Sequence, residues 1–585
     1  MAVENLITEH IDIWTSAIKT KSTSGRGSSK KLELYGVKKL RELILELAVR
    51  GKLVPQDPND EPASVLLERI AAEKAQLVKE KKIKKPRKYE PIDDNSLPFN
   101  IPSSWKWARI EDLGHDLGQK KPDKTFTYVD VGSINKELGY IDEPSILEHS
   151  EAPSRARKLV QKNTVIYSTV RPYLLNIAVI DRDFNPEPIA STAFAIIHPL
   201  SGISSSYIYR YLRSPSFIEY VESVQTGIAY PAINDKQFFF GLIPVPPSAE
   251  QHRIVAKVDE LMALCDQLEQ QTEASIEAHQ VLVTTLLDTL TNSADADELM
   301  QNWARISEHF DTLFTTEESI DQLKQTILQL AVMGKLVPQD PSDEPAAELL
   351  KRIAEEKAQL VKEKKIKKQK ALPPISEDEK PFELPSGWEW CRINAICTIE
   401  NGDRSSRYPN SSDLVEEGVP FFGAYDIAGD KLVANENLRF ITQRKFLELS
   451  NGKLQDKDFI MLLRGSVGKT AQFECNIGFA TGFINAQMLI IRLLDTSFDS
   501  YLNCYFQSKL YWNSIEKNKS GAVIQQMPAS KVVELVLPLP PLREQKKIAA
   551  KVDELLSVCE QFKVRLKEGQ NTQIQLTDAI VGQVM

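Results

Sequence analysis

Residues capable of covalent chemistry are sparse in this sequence, and their spacing does not build a reaction centre. Gly465 to Thr470 (GSVGKT) ends like a phosphate-binding loop but has two residues between its glycines. Such a loop needs four there to wrap its N–H groups around a phosphate. A turn after the apolar run Phe459–Arg464 is the better reading. Asn185 to Pro188 (NPEP) departs from the Asn/Asp-Pro-Pro-aromatic tetrapeptide of amino-methyltransferases, and no glycine-rich cofactor loop follows a strand pattern. None of the 7 histidines falls in a metal or triad spacing, and His252, beside Gln251 at a helix start, reads as a surface or cap residue. The 6 cysteines (Cys265, Cys391, Cys397, Cys475, Cys504, Cys559) lack CxxC spacing. That pattern favours reduced thiols in a cytoplasmic protein over disulfides or a zinc site. A non-catalytic chain with no metal of its own is expected.

The side chains suited to non-covalent recognition are gathered in loops. Ser168–Tyr173 (STVRPY) and Leu462–Ser466 (LLRGS) hold roughly corresponding places, which aligns Arg171 with Arg464 and leaves Tyr173 and Lys469 nearby. An arginine can donate to O6 and N7 of guanine together, or grip a phosphate. The plain alternative is a surface salt bridge. Two further loops, Gln225–Asn234 and Lys519–Ser530, supply Gln225, Thr226 and Tyr230, and Lys519, Gln525 and Gln526. Glutamine suits adenine, while packing accounts equally well for Tyr230 and Ile524.

Such loops need a scaffold, and the sequence supplies one twice. Leu40–Lys85 recurs as Leu323–Lys368 with about 36 of 46 positions identical. The register continues through Pro98–Ile110 and Pro381–Ile393, pairing Trp105 with Trp388 and Trp107 with Trp390. These tryptophans alternate along a short strand pattern and are expected to anchor a core. Ile243–Gln267 is likewise repeated at Leu537–Gln561, whereas residues 111–240 and 394–534 resemble each other little. The frame is duplicated and its contents have diverged. His309–Phe314 (HFDTLF) precedes the second long repeat, and a similar His10–Trp14 (HIDIW) stands near the start of the chain. The second frame unit is therefore expected to be split between the two ends, as a closed pseudo-two-fold object allows.

After the proline clusters, Ile254, Val258, Leu261, Cys265 and Leu268 follow a heptad seam, as do Ile548, Val552, Leu555, Cys559 and Phe562. A helix over about Glu250–Leu290, roughly 60 Å long, is expected, with a comparable one to the C-terminus. The diverged stretches hold short β-branched runs (Val165–Val170, Ile177–Ile180, Thr192–Ile197, Phe459–Leu463, Gln487–Leu494, Val532–Leu537) between turn residues, the pattern of mixed α/β modules. Lys79–Lys88 and Lys362–Lys370 read as solvated helix ends leading into linkers, and Thr20–Lys31 as disordered. The expected fold is α/β: two globular mixed α/β modules joined by long antiparallel coiled-coil helices in a pseudo-two-fold circular arrangement. The segments are 1–97 (helical), 98–248 (module), 249–380 (helical), 381–541 (module) and 542–585 (helix).

With 585 residues and 66.0 kDa the chain requires several domains. It lacks a secretory leader and any run of about 20 apolar residues, so a soluble, cytoplasmic protein is expected. Its net charge of -9 and pI near 5.6 argue against a broad basic surface gripping nucleic acid.

The duplicated proline-to-helix segments Pro244–Leu261 and Pro538–Leu555, with their SSWKW (Ser103–Trp107) and SGWEW (Ser386–Trp390) entries, resemble the specificity subunits of type I restriction-modification enzymes. The resemblance covers nearly the whole chain. The long repeat at Leu40 and Leu323 is similar to the subgroup with an extended N-terminal conserved region. It implies that each diverged module is a target-recognition domain reading half of a bipartite, asymmetric double-stranded DNA site, with the helices setting the distance between halves. It also implies docking of two modification subunits, which bring S-adenosylmethionine and methylate adenine, and through them restriction subunits that use ATP and Mg to cleave DNA. This chain would bind none of those cofactors. Within that resemblance Arg171, Tyr173, Gln225, Thr226, Tyr230, Arg464, Lys469, Lys519, Gln525 and Gln526 become candidate DNA contacts. The rival expectation is a coiled-coil scaffold that never touches DNA; a fused methyltransferase or NTPase is disfavoured by the missing motifs.

Overall fold

The computed structural model describes residues 3–22, 30–87, 89–93, 97–227, 229–368, 372–521 and 524–585. The chain divides into two compact units, Met1–Ile276 with Glu568–Met585, and Glu277–Lys567. Both ends of the chain thus fall in one unit, as the split repeat implies.

The long repeats fold as helix pairs. Helix Tyr35–Val49 buries 11 of its 15 residues, Val37, Leu40, Leu43, Ile44, Leu47 and Ala48 among them, and leaves Lys38, Lys39, Arg41 and Glu42 on one narrow polar face. Gly36 is required in its first turn, because a Cβ there would lie 2.3 Å from the carbonyl oxygen of Trp14. Glu317–Val332 is its counterpart in the other unit. The second helices, Ala63–Lys79 and Ala346–Lys362, are amphipathic and bury one stripe, Ala63, Leu66, Ile70 and Lys74 in the first. Burial pushes the Lys74 ammonium below its usual pKa. Its protons go to the carbonyls of Glu111 and Gly114, and Lys357 repeats this on Asn394 and Cys397.

Each diverged module begins and ends on one two-stranded ribbon. Lys106–Arg109 pairs antiparallel with Leu242–Val245, and Glu389–Arg392 with Val536–Leu539. An insertion closed on itself in this way can change its contents without disturbing the frame. The first module holds two four-stranded sheets, ordered Ile177–Val179, Val165–Ser168, Phe194–Pro199, Gly114–His115 and Ser145–Leu147, Phe126–Val129, Pro188–Ser191, Ala156–Leu159. The second holds a six-stranded and a four-stranded sheet. Phe126–Val129 pairs in parallel with Pro188–Ser191 in the first module, and Val419–Phe422 with Phe483–Ile484 in the second, where Lys431–Leu432 also runs parallel to Thr470–Gln472. Strands such as Val165–Ser168 and Phe459–Leu462 are buried along their whole length, so they read as continuous apolar runs without alternation.

The two long helices span Ser248–Asn292 and Leu542–Val584, 45 and 43 residues. Most of the expected seam is buried: Ile254, Val258, Leu261 and Cys265 share a core with Val581, while Ile548, Val552 and Cys559 share another with Val283, Leu287 and Leu290, and Leu268, Leu555 and Phe562 are half-buried against these cores. The end of each long helix thus completes the core of the unit in which the other begins. Arg41 pairs there with Asp266 (2.5 Å) and Glu269 (2.6 Å), and Lys563 with Asp321 (2.5 Å).

Two local expectations change. Thr20–Lys31 is not without structure at its edges, since Lys19–Ser22 pairs antiparallel with Lys30–Glu33; residues 23–29 lie outside the described residues. A polar composition withholds apolar burial, but a ladder of backbone hydrogen bonds does not require it. The Val532–Leu537 run is strand only from Val536, because Ala529–Val532 forms a helical turn after Pro528.

Candidate nucleic-acid interface

The candidate loops are built as one motif used twice. In the first unit the chain after strand Val165–Ser168 meets the outgoing arm of the Gln225–Asn234 loop: Ile233 N donates to Thr169 O (3.0 Å) and Arg171 N to Pro231 O (2.8 Å), while Thr226 and Ala232 exchange two bonds of 2.9 Å. In the second unit Met527 N donates to Leu463 O (3.0 Å) and Gly465 N to Gln525 O (3.0 Å), while Ser520 and Gln526 exchange bonds of 2.9 and 2.8 Å. The loops are hairpins closed by glycine: Gly227 (φ +93) and Gly521 (φ +103) occupy the same rung, and a Cβ would lie 2.8 Å from Tyr230 O in one and 2.3 Å from Ile524 O in the other.

Counting rungs corrects the arginine alignment. Val170 pairs with Ala232 and Arg464 with Gln526, so Arg464 matches Val170, and Arg171 matches Gly465. Both residues of the second match are left-handed, with φ of 50° and 81°. A shift of one residue turns a side chain to the other face of a strand, which matching by residue type alone cannot detect. The two arginines therefore serve their hairpins differently. Arg171 lies over the ring of Tyr230 at 4.7 Å, a cation–π contact between the strand's extension and the hairpin it pairs with, whereas Arg464 is exposed beside exposed Gln525 and Gln526.

The remaining candidates divide into exposed and engaged groups. Tyr173 and Tyr230 are exposed, at 53% and 67%, and Thr226 is also open to solvent. Lys469 is half-buried and donates to Ile427 O at 3.2 Å. Lys519 pairs with Glu516. Gln225 caps helix Pro215–Val224, with its side-chain oxygen buried and without a partner among the described residues. The structure thus gathers Arg171, Thr226 and Tyr230 at one hairpin and its neighbouring segment and Arg464, Gln525 and Gln526 at the other, and turns Lys469 and Gln225 inward. GSVGKT is a turn between antiparallel strands Phe459–Leu462 and Thr470–Gln472, not a strand-to-helix phosphate cradle.

A second pair of matched loops was not singled out in the sequence. Short 3-10 turns at Val131–Ser133 and Ala424–Asp426 follow the parallel strands of the two modules. The second carries Tyr425, 94% exposed. The Phe-Gly-Ala-Tyr-Asp run gives no periodic signal, so only three-dimensional placement marks it.

Matched buried bonds fix both modules to the frame. Trp105 Nε1 donates to Glu250 Oε2 at 3.0 Å and Trp388 Nε1 to Glu544 Oε2 at 3.0 Å. The hydroxyls of Tyr207 and Tyr501 donate to Pro244 O and Pro538 O, both at 2.7 Å. Gln251 and Gln545 cap Pro246 O (3.1 Å) and Pro540 O (2.7 Å). The proline clusters supply carbonyl acceptors without N–H donors of their own. Trp107 and Trp390 are half-buried, each lining a groove beside the second repeat helix, so of each tryptophan pair only the first is a core anchor.

Burial pushes Cys265 up to about 11 and Cys397 and Cys504 up to about 12, leaving these thiols without thiolate character. Among the described residues, no group of three or more His, Cys, Asp or Glu is placed to hold a metal, and no helix is long and apolar enough to cross a membrane.

Comparison with known proteins finds relatives over the whole chain. The family model described as type I restriction modification DNA specificity domain matches residues 102–278 and 385–575. The EcoAI specificity subunit of a type I restriction enzyme from Escherichia coli is 44% identical over 99% of both chains. The EcoEI specificity subunit, also from Escherichia coli, is 42% identical over 99% of both. A solved chain from a study of complex assembly and conformational transition in the type I R-M system matches 83% of this chain and 99% of its own, with a TM-score of 0.52 at 22% identity, a likeness of fold.

Proposed function

This chain belongs to the family of type I restriction-modification DNA specificity subunits, and from that premise we propose how its labour is divided. Residues 98–248 and 381–541 are the two target-recognition domains, each reading one half of a bipartite, asymmetric site in double-stranded DNA. Residues 1–97, 249–380 and 542–585 form the frame, which docks two modification subunits. Those partners carry S-adenosylmethionine and methylate adenine; restriction subunits, recruited through them, use ATP and Mg to cleave unmodified DNA. The chain itself is non-catalytic and works in the cytoplasm.

The matched hairpins carry this reading. One backbone appears twice, Thr226–Ala232 and Ser520–Gln526, bearing Arg171 over Tyr230 in one copy and Arg464 with Gln525 and Gln526 in the other. Unlike half-sites need unlike side chains at base edges, whereas like partners need like docking surfaces. The net charge of -9 fits a reader whose partners supply much of the phosphate grip.

Adenine methylation mapped across a genome, with and without this chain, tests the proposal. A two-part motif should vanish with the chain, and exchanging residues 98–248 for those of a relative should change one half of it. A scaffold would leave the motif unchanged and alter only which proteins assemble.

A further inference from the structure

Beyond the hairpins, the structure assigns a specificity-determining role to Tyr425 in the second recognition domain, as a direct contact to double-stranded DNA that the first domain lacks. This rests on the reading of the chain as a two-headed DNA reader.

Three observations carry it. First, the loop is the same in both domains. Strand Phe126–Val129 leads into the turn Val131–Ser133, and strand Val419–Phe422 into Ala424–Asp426. Each strand is paired in parallel with a matching partner. The turns are closed by equivalent bonds, Asp142 N to Ser133 O and Val433 N to Asp426 O, both 2.9 Å. Residue for residue, Gly132 stands where Tyr425 stands.

Second, the turn is rigid under an exposed ring. Asp426 is buried and accepts from Gly423 N at 2.7 Å and from Asn435 Nδ2 at 2.7 Å, while the same amide donates to Tyr425 O at 3.1 Å. The backbone of Tyr425 is thus held on both sides while its side chain is 94% exposed. Folding gains nothing from so open a ring, but a pre-positioned aromatic loses little entropy when it meets a ligand.

Third, the turn is tied to the hairpin side of the domain. Lys469, in the turn that follows Arg464, donates to Ile427 O two residues beyond Tyr425. Arg439 flanks the other side, its guanidinium 5.1 Å over the ring of Phe421 and 3.9 Å from the place a Cβ on Gly423 would take. Tyr425 therefore extends the hairpin's reading edge with an apolar face for a thymine methyl or a base plane and a hydroxyl for a base edge or phosphate.

The test uses the full chain assembled with its modification subunits and duplexes carrying the cognate site or single substitutions in either half, compared at one salt concentration. Tyr425→Ala and Tyr425→Gly should each weaken cognate binding about tenfold and flatten discrimination at positions in the second domain's half-site, leaving the other half read as before. Tyr425→Phe keeping discrimination would assign it to the ring, losing it to the hydroxyl, and either outcome supports the contact. Wild-type binding and discrimination in Tyr425→Ala would overturn the inference, as would an equal loss on all sequences, which marks a backbone contact without specificity. Failure of the unsubstituted complex to discriminate any duplex would instead overturn the two-headed reading itself.

Discussion

Glu250 receives the indole N–H of Trp105 on one carboxylate oxygen at 3.0 Å and the amide of Gln56 on the other at 2.5 Å. Glu544 receives Trp388 at 3.0 Å and Gln339 at 3.1 Å in the same way. Each network joins three segments far apart in sequence: the loop after the first repeat helix, the entry to the recognition domain, and the start of the long helix. Burial raises both carboxyls above the usual range, and the donated bonds oppose that rise.

Removing one donor should therefore leave a buried oxygen without a partner. Trp105→Phe is expected to lower unfolding stability by about 1–3 kcal/mol, measured by denaturant titration, and Trp388→Phe by a similar amount. Because the two networks share no residue, the double variant should show nearly the sum. A double variant no worse than either single would place both networks in one cooperative element.

The hairpin register makes a sharper distinction for binding. Arg464→Ala should weaken discrimination in one half-site by about 1–3 kcal/mol, whereas Val170→Ala, at the matching rung of the other domain, should leave discrimination unchanged. Arg171→Ala also removes the stack on Tyr230. Competition binding of the assembled complex against substituted duplexes reads all three, and a salt titration separates phosphate from base contacts, since a lost phosphate contact lowers the salt slope by about 1.

Gly521→Ala should deform the second hairpin, because φ of +103° and a carbonyl 2.3 Å from the new Cβ leave it no relaxed position. Recognition of the second half-site should fall, with the first read as before. Gly465→Ala is the control. Its φ is +81° but no atom lies within 4 Å of the added Cβ, so only the backbone cost of about 1 kcal/mol remains.

The Glu379–Arg392 pair sets a pH dependence at the entry to the second domain. Arg392 donates to both oxygens at 3.0 and 3.1 Å, and with the Ser376 N–H this holds the Glu379 carboxyl down to about 2. A depressed carboxyl contributes stability present above its unfolded value near 4.5 and lost as pH falls toward 2. Glu379→Gln should accordingly be less stable than the parent at pH 6, with the gap closing as the pH falls. Measured unfolding midpoints that keep a constant gap down to pH 3 would contradict this.

The frame helices are proposed to set the spacing of the half-sites. A heptad adds about 10 Å of helix, so inserting one in both Ser248–Asn292 and Leu542–Val584 should lengthen the methylated motif's spacer by about three base pairs at roughly 3.4 Å each, leaving both halves intact. An unchanged spacer would remove the ruler.

How much of this was legible beforehand follows from which interactions leave a trace along the chain. The duplicated frame was open to reading because a repeat is a linear pattern, and heptad spacing at Ile254, Val258, Leu261 and Cys265 specifies a buried helical stripe without reference to anything distant. Continuous runs such as Val165–Ser168 announced strands for a similar reason. The loops proposed to meet DNA were also visible as loops, since Gly, Gln, Tyr and Arg gather there. What only the tertiary structure decided is which side chains those loops present. The one-residue offset between Arg171 and Arg464 arises from rungs between segments about 60 residues apart. The inward turn of Lys469 depends on Ile427, some 40 residues away, and the exposure of Tyr425 depends on Asp426 and Asn435 fixing its backbone. Periodicity encodes which face a residue takes within its own element. The partner across a ladder or beneath a turn is set by chain closure, and no local pattern records it.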